Sequence, residues 1–313
     1  MKRIIIRCPA KINLFLKILN KRRDNFHNIQ TIFEKISLFD TITIKEIPRK
    51  DSISITTNEK TLPIDRNNLC FRAAKAIKNK FNIKTGLQIH IDKNIPISAG
   101  LGGGSSDAAG VLQGLKLLWT IGLENKNLEH IAVQLGSDVA LFTSRYSFIL
   151  GEGRGDKIFE FKQLEGVKLW HVLICPYLRI SSKFAYSLYD RYTNLPNKYI
   201  KAINKQPKLK LTTKDYDVNI ITYSLSKRDA FLLDCYSYND FSYPIFDKFR
   251  QISSIRQRVE KVAGRFAHLS GSGSTLFTVH REGKEAQSLV RVLQKKVNGC
   301  RFFVVSTYQN KEV

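Results

Sequence analysis

The passage with the most evident chemistry is Pro96-Ile97-Ser98-Ala99-Gly100-Leu101-Gly102-Gly103-Gly104-Ser105-Ser106. It follows a segment in which Leu87, Ile89 and Ile91 alternate with Gln88, His90 and Asp92, the pattern of a half-buried strand. It leads into Ala108, Val111, Leu112, Leu115 and Trp119 at helical spacing. A glycine-rich turn between a strand and a helix start exposes unpaired backbone N–H groups at the positive end of the helix dipole. Anionic phosphate is stabilised there, and glycines let its oxygens approach the backbone without meeting a Cβ. The passage is neither a P-loop, since Gly-Lys-Ser/Thr is missing, nor a dinucleotide fingerprint.

Other side chains gain meaning only in combination. In an extended segment, Lys11 and Asn13 share one face, opposite Ala10, Ile12, Leu14 and Leu16. Taken alone, Lys11 reads as a solvated strand lysine, Asp138 after Gly136-Ser137 as a helix-capping acid, and His27 beside Phe26 as an ordinary packed or surface histidine. The five cysteines, Cys8, Cys70, Cys175, Cys235 and Cys300, have neither metal-ligand nor redox-motif spacing and read as reduced thiols of a cytoplasmic protein.

Among the elements that must position these groups, Arg3–Arg7 reads as a strand, as do segments 41–47 and 52–57, Leu169–Cys175, Thr275–His280 and Phe302–Thr307. Helices are expected over Asn68–Phe81, through Leu128 to Leu135 with Gly136 as C-cap, near Ser182–Arg191, over Phe246–Val262, and from Ala286 to Val297. The polar stretch 193–238 resists assignment. A length of 313 residues exceeds one comfortable core, and the composition shifts at Gly151-Glu152-Gly153-Arg154-Gly155. We therefore expect two domains, 1–153 and 154–313. No apolar run approaches a membrane span or a signal-peptide core. The formal charge of +24 suits an anionic partner. The lysines are spread along the chain rather than massed, even in the richest stretch, Lys198–Lys214, which favours background composition over a nucleic-acid surface.

Three segments in order carry a resemblance to the GHMP kinases. Pro9-Ala10-Lys11-Ile12-Asn13-Leu14 resembles the superfamily's N-terminal motif, the glycine-serine passage its central motif, and His268-Leu269-Ser270-Gly271-Ser272-Gly273-Ser274-Thr275-Leu276-Phe277 its C-terminal glycine loop. Further matches lie in Arg22-Arg23-Asp24-Asn25-Phe26-His27, in Leu135–Phe142, in Gly153-Arg154-Gly155-Asp156 and in Asn239-Asp240-Phe241. They point to the branch that phosphorylates a cytidyl diphosphate sugar alcohol. That branch usually has proline where Ala140 stands and glutamate where Asp156 stands.

The resemblance implies an α/β (α+β) fold of two domains, a mixed-sheet N-terminal domain and an α/β sandwich C-terminal domain. It implies ATP along residues 96–106 and Mg²⁺, whose protein ligands the sequence leaves unassigned. It casts Asp138 as the group that accepts the acceptor hydroxyl's proton, Lys11 as the stabiliser of charge there, and Asn13 as an acceptor contact. Phe26 and Tyr186 would sandwich the cytosine, and His27 would hydrogen-bond its edge. The expected partner is a small cytidyl diphosphate, with neither nucleic acid nor membrane involved.

Overall fold

A computed structural model describes residues 2–48, 51–122, 125–193 and 217–309. The lysine-rich stretch Lys198–Lys214, for which the sequence suggested no structure, lies outside the described residues.

The two segments expected as separate strands at the N-terminus form one strand, β1 (Arg3–Lys21). It pairs antiparallel with the similarly long β2 (His27–Ile47), and its register shifts at Pro9/Ala10, Asn13/Phe15 and Ile18/Asn20. Such bulges admit a proline that cannot donate to the ladder, and they re-aim the side chains that follow. β2 pairs with β4 (Gly86–Asp92), which pairs in parallel with β3 (Ile53–Thr57). The nearer half of β2 pairs with β5 (Phe148–Glu152), and β5 with β6 (Lys157–Glu160). Residues just past the composition shift thus return to the first sheet. Its seven strands are completed by the short β8 (Tyr238–Asn239), parallel to β1.

Helices α1 (Leu69–Lys80), α2 (Gly103–Leu118), α3 (Asn125–Leu135) and α4 (Ser137–Thr143) cover one face of this sheet. The Asn68 side chain caps α1 by accepting from the Cys70 N–H. Gly136 is not the left-handed C-cap that its position suggested. Its φ of 172° is extended, and it links α3 directly to α4. α2 lies close on β1: a Cβ on Gly110 would stand 2.3 Å from Cys8 Sγ, so only glycine permits the approach.

The second sheet is antiparallel, ordered β11 (Cys300–Ser306), β7 (Trp170–Pro176), β10 (Leu276–His280) and β9 (His268–Leu269). Around it pack α5 (Ser182–Thr193), α8 (Ser242–Lys248), α9 (Arg250–Ala263) and α10 (Gly283–Lys296). The helix expected across Phe246–Val262 breaks into two at Phe249, where φ is −112° and ψ 82°. In the unassigned stretch, Asp217 and Asp229 cap α6 (Val218–Ser226) and α7 (Ala230–Tyr236). The fold is thus the α/β pair of sheets expected from the resemblance, one mixed and one antiparallel.

Between the sheets lies a shared core of Ala10, Ile12, Phe15 and Ile36 against Leu173, Phe277, Val279 and Val305. The expected alternation on β1 therefore has no solvent side at the site. Lys11 and Asn13 are buried together with Ile12 and Leu14. Across the same seam, fully buried Glu34 meets His171 Nε2 at 3.0 Å and accepts from Thr307 Oγ1 at 2.6 Å.

Candidate active site

Lys11 projects from the bulged centre of β1 into the turn ahead of α2. Its Nζ donates to Asn13 Oδ1 at 2.6 Å and to the Gly100 carbonyl at 3.0 Å, and its backbone N–H donates to Leu101 O at 3.0 Å. Asn13 in turn donates through Nδ2 to Thr31 Oγ1 at 2.8 Å, and Thr31 to Phe15 O at 2.6 Å. The chain of bonds holds the amine in one place before any ligand arrives. Burial lowers the Lys11 pKa, and the negative charge of nearby Asp138 opposes that shift. Asp138 stands in the first turn of α4, not at its cap, and its field also reaches the Tyr186 hydroxyl.

The glycine-serine turn is held against the C-terminal glycine loop. Gly100 has φ +78°, and a Cβ there would lie 2.1 Å from Ser270 O. Ser270 Oγ donates to Gly100 O at 3.0 Å, and the Thr275 N–H to Ala99 O at 3.2 Å. Ile180 N–H reaches Ser98 O at 3.0 Å. Asn239 Nδ2 braces the second loop through Leu269 O and Gly271 O, each at 2.8 Å. A Cβ on Gly271 would be 3.1 Å from both Lys11 Nζ and Asn13 Oδ1, so this loop forms a wall of the site.

Behind the start of α2 sits a buried charged cluster. Lys93 Nζ pairs with Asp40 Oδ2 and, at 2.8 Å, with Asp107 Oδ2. Asp40 also accepts from the N–H groups of Asn94 (2.6 Å) and Ile95 (2.9 Å), turning the chain out of β4. Burial, and then the Asp40 charge, push Asp107 up to about 7, while Lys93 pulls it down. Ser106 Oγ, one residue earlier, is buried without a hydrogen-bond partner among the described residues.

Phe26 ends the turn after β1, and His27 opens β2. Phe26 is 51% exposed, and the Arg154 guanidinium sits 4.9 Å from its ring centre. His27 is buried. Its ring stacks on Tyr186 with centroids 4.9 Å apart and an interplanar angle of 12°. Tyr186 therefore has a face against His27, and its edge contact is with Phe241 at 4.9 Å. The sequence singled out Lys11, Asn13, Asp138, Phe26, His27, Tyr186 and Pro96 to Ser106. It missed Thr31 and the Lys93 cluster, whose partners are remote along the chain. It named the 268–277 loop and Asn239 as motifs without giving them a place.

A glycine-serine turn beside a buried lysine and an aspartate, within a mixed and an antiparallel sheet, fits a kinase of the GHMP class. The family model of the GHMP kinases N terminal domain matches residues 68–145. A relative from Syntrophotalea carbinolica, named 4-diphosphocytidyl-2-C-methyl-D-erythritol kinase, is 34% identical over 95% of this chain and 96% of its own. One of the same name from Clostridioides difficile is 33% identical over 98% and 96%. A solved structure of 4-(cytidine 5'-diphospho)-2C-methyl-D-erythritol kinase superposes with a TM-score of 0.73 at 25% identity, covering 97% of this chain and 98% of that one. The chain belongs to the 4-diphosphocytidyl-2-C-methyl-D-erythritol kinase family. It is a kinase acting on a small molecule, and its family implies ATP as the phosphate donor. Among the described residues no helix is long and apolar enough to cross a membrane.

Proposed function

We propose that this chain transfers the γ-phosphate of ATP to the 2-hydroxyl of 4-diphosphocytidyl-2-C-methyl-D-erythritol, a step of non-mevalonate isoprenoid precursor synthesis. The observation that carries the reading is the meeting of Lys11 Nζ, Asn13 and Gly100 O within hydrogen-bond reach, with Asp138 close enough to act on the lysine. Phosphoryl transfer asks chiefly for positioning and charge stabilisation. Asp138 orients the acceptor hydroxyl and takes its proton. Lys11 steadies the developing charge from a fixed position. Asn13 holds the acceptor, and the N–H groups of residues 96–106 take the nucleotide's phosphates. Phe26 stacks on the cytosine, His27 reads its edge, and Tyr186 closes this pocket from behind His27.

Mg²⁺ belongs to the proposal as well. The orphaned Ser106 Oγ is a hard oxygen donor at the phosphate turn, which suits a cation carried mostly by nucleotide oxygens. When bound, the ion neutralises phosphate charge. Among the described residues no group of three or more His, Cys, Asp or Glu could cage a metal by itself. The division into domains 1–153 and 154–313 and a cytoplasmic setting complete the reading.

The test is a coupled ADP-release assay with purified protein, ATP and Mg²⁺. Turnover should require the cytidyl-methylerythritol acceptor and be suppressed by competing CDP. Equal turnover with mevalonate or homoserine, or none with the cytidyl acceptor, would refute the assignment.

A further inference from the structure

His27 is gripped by one helix. Tyr186, Tyr189 and Asp190 of α5 stand three and four residues apart, so they share a helical face. Tyr186 stacks on the His27 ring, and Tyr189 meets it edge-on at 6.2 Å and 89°. Asp190 Oδ1 lies 2.7 Å from His27 Nε2. The other carboxyl oxygen, Oδ2, accepts from Lys21 Nζ at 2.7 Å, on β1. Partial burial pushes the Asp190 carboxyl up, but the bonds from Lys21 and His27 outweigh this and hold it below the usual range. Asp190 is therefore a carboxylate, and a carboxylate can only accept. A neutral His27 must then carry its proton on Nε2, which leaves Nδ1 as an acceptor. No bond to Nδ1 from any described group is present.

We propose that Asp190 is the positioning residue for base selectivity, fixing His27 as its Nε2–H tautomer so that Nδ1 accepts from the exocyclic amine of cytosine. The inference rests on the reading that His27 faces the base. Cytosine presents an amine where uracil presents a carbonyl oxygen, so an accepting Nδ1 favours cytosine and leaves uracil's oxygen facing a lone pair. Asparagine at 190 could instead donate to Nε2. That would move the ring proton to Nδ1 and suit uracil.

The experiment compares kcat and KM for the cytidyl acceptor and its uridyl counterpart, with KM for ATP, at about pH 8, where an ordinary histidine is neutral. Asp190→Asn should lower the cytidyl-over-uridyl ratio of kcat/KM by about tenfold or more. The change should appear in the acceptor KM, with kcat and the ATP KM within about twofold. Asp190→Glu should restore most of the ratio, because it keeps a carboxylate. An unchanged ratio in Asp190→Asn, while His27→Ala loses it, would overturn the role of Asp190 and leave the base-reading role of His27 standing. An unchanged ratio in His27→Ala would sink both. Equal weakening of both acceptors in Asp190→Asn would make the contact merely structural and overturn the proposal.

Discussion

Lys11 and Asp138 are complementary in their surroundings as well as their charge. The amine is buried and held by oxygen acceptors, and burial works against its proton while Asp138 works for it. Asp138→Asn should leave nucleotide binding intact while lowering kcat by about 10²-fold or more, checked by steady-state kinetics beside an ATP titration. A kcat near that of the wild type would assign the proton to another group. At the acceptor end, His27→Ala should cost about 1–3 kcal/mol in acceptor affinity, seen as a raised acceptor KM with the ATP KM little changed. Phe26→Ala should act in the same direction and Phe26→Tyr should be tolerated, since stacking needs only the ring face. If ATP and acceptor weakened equally, the pair would be structural.

The glycine-serine turn is backed by a charged cluster outside the turn itself. Lys93, just past β4, ties α2 at Asp107 to β2 at Asp40. Lys93→Met would leave two buried carboxylates facing each other without a cation. Removing one partner of a buried pair costs about 3–5 kcal/mol. Chemical denaturation should show that loss, and the ATP KM should rise because the turn loses its backing. Unchanged stability would mean the carboxylates share a proton without needing Lys93. Lys35 gives a pH-dependent counterpart on β2. Its Nζ donates to Ser144 O, and burial lowers its pKa to about 7 from 10.5. Below about pH 7 both states hold the proton and the folded protein bears the full cost of the buried charge. As pH rises towards the unfolded value, the folded state sheds the proton first and the cost disappears. Wild type should therefore gain stability on Lys35→Met by roughly 1–2 kcal/mol between about pH 7 and about pH 9, measured by urea unfolding. A pH-independent difference would place the amine in solvent.

At the scale of the molecule, the two sheets share a core, and the site lies where loops from both meet. Phe277, on the second sheet, is fully buried in the cluster that holds Ala10, Ile12 and Ile36 of the first. Phe277→Ala should cost about 3–5 kcal/mol and lower the midpoint of a single cooperative transition, followed by calorimetry. Two resolved transitions would show the sheets unfolding independently. The Glu34 to His171 contact crosses the same seam, so loosening the core should also disturb the wall that Gly271 places beside Lys11.

Local chemistry made much of this legible in advance. The turn at 96–106 announced itself because glycine, serine and a helix start within a few residues have few other uses, and α1, β4 and α10 followed from apolar period alone. The pairing of Lys11 with Asn13 was visible as a shared face. What the sequence could not determine is which remote groups meet. Asp190 lies 163 residues from His27 and Ser270 lies 170 from Gly100, and no periodicity reports contacts at that separation. Nor did alternation reveal that the centre of β1 is buried on both faces, because that depends on a second sheet formed by the other half of the chain. Sequence therefore determined the chemical groups and their local frames. The tertiary structure decided their distances, burial and hence protonation, because those are properties of packing between distant segments.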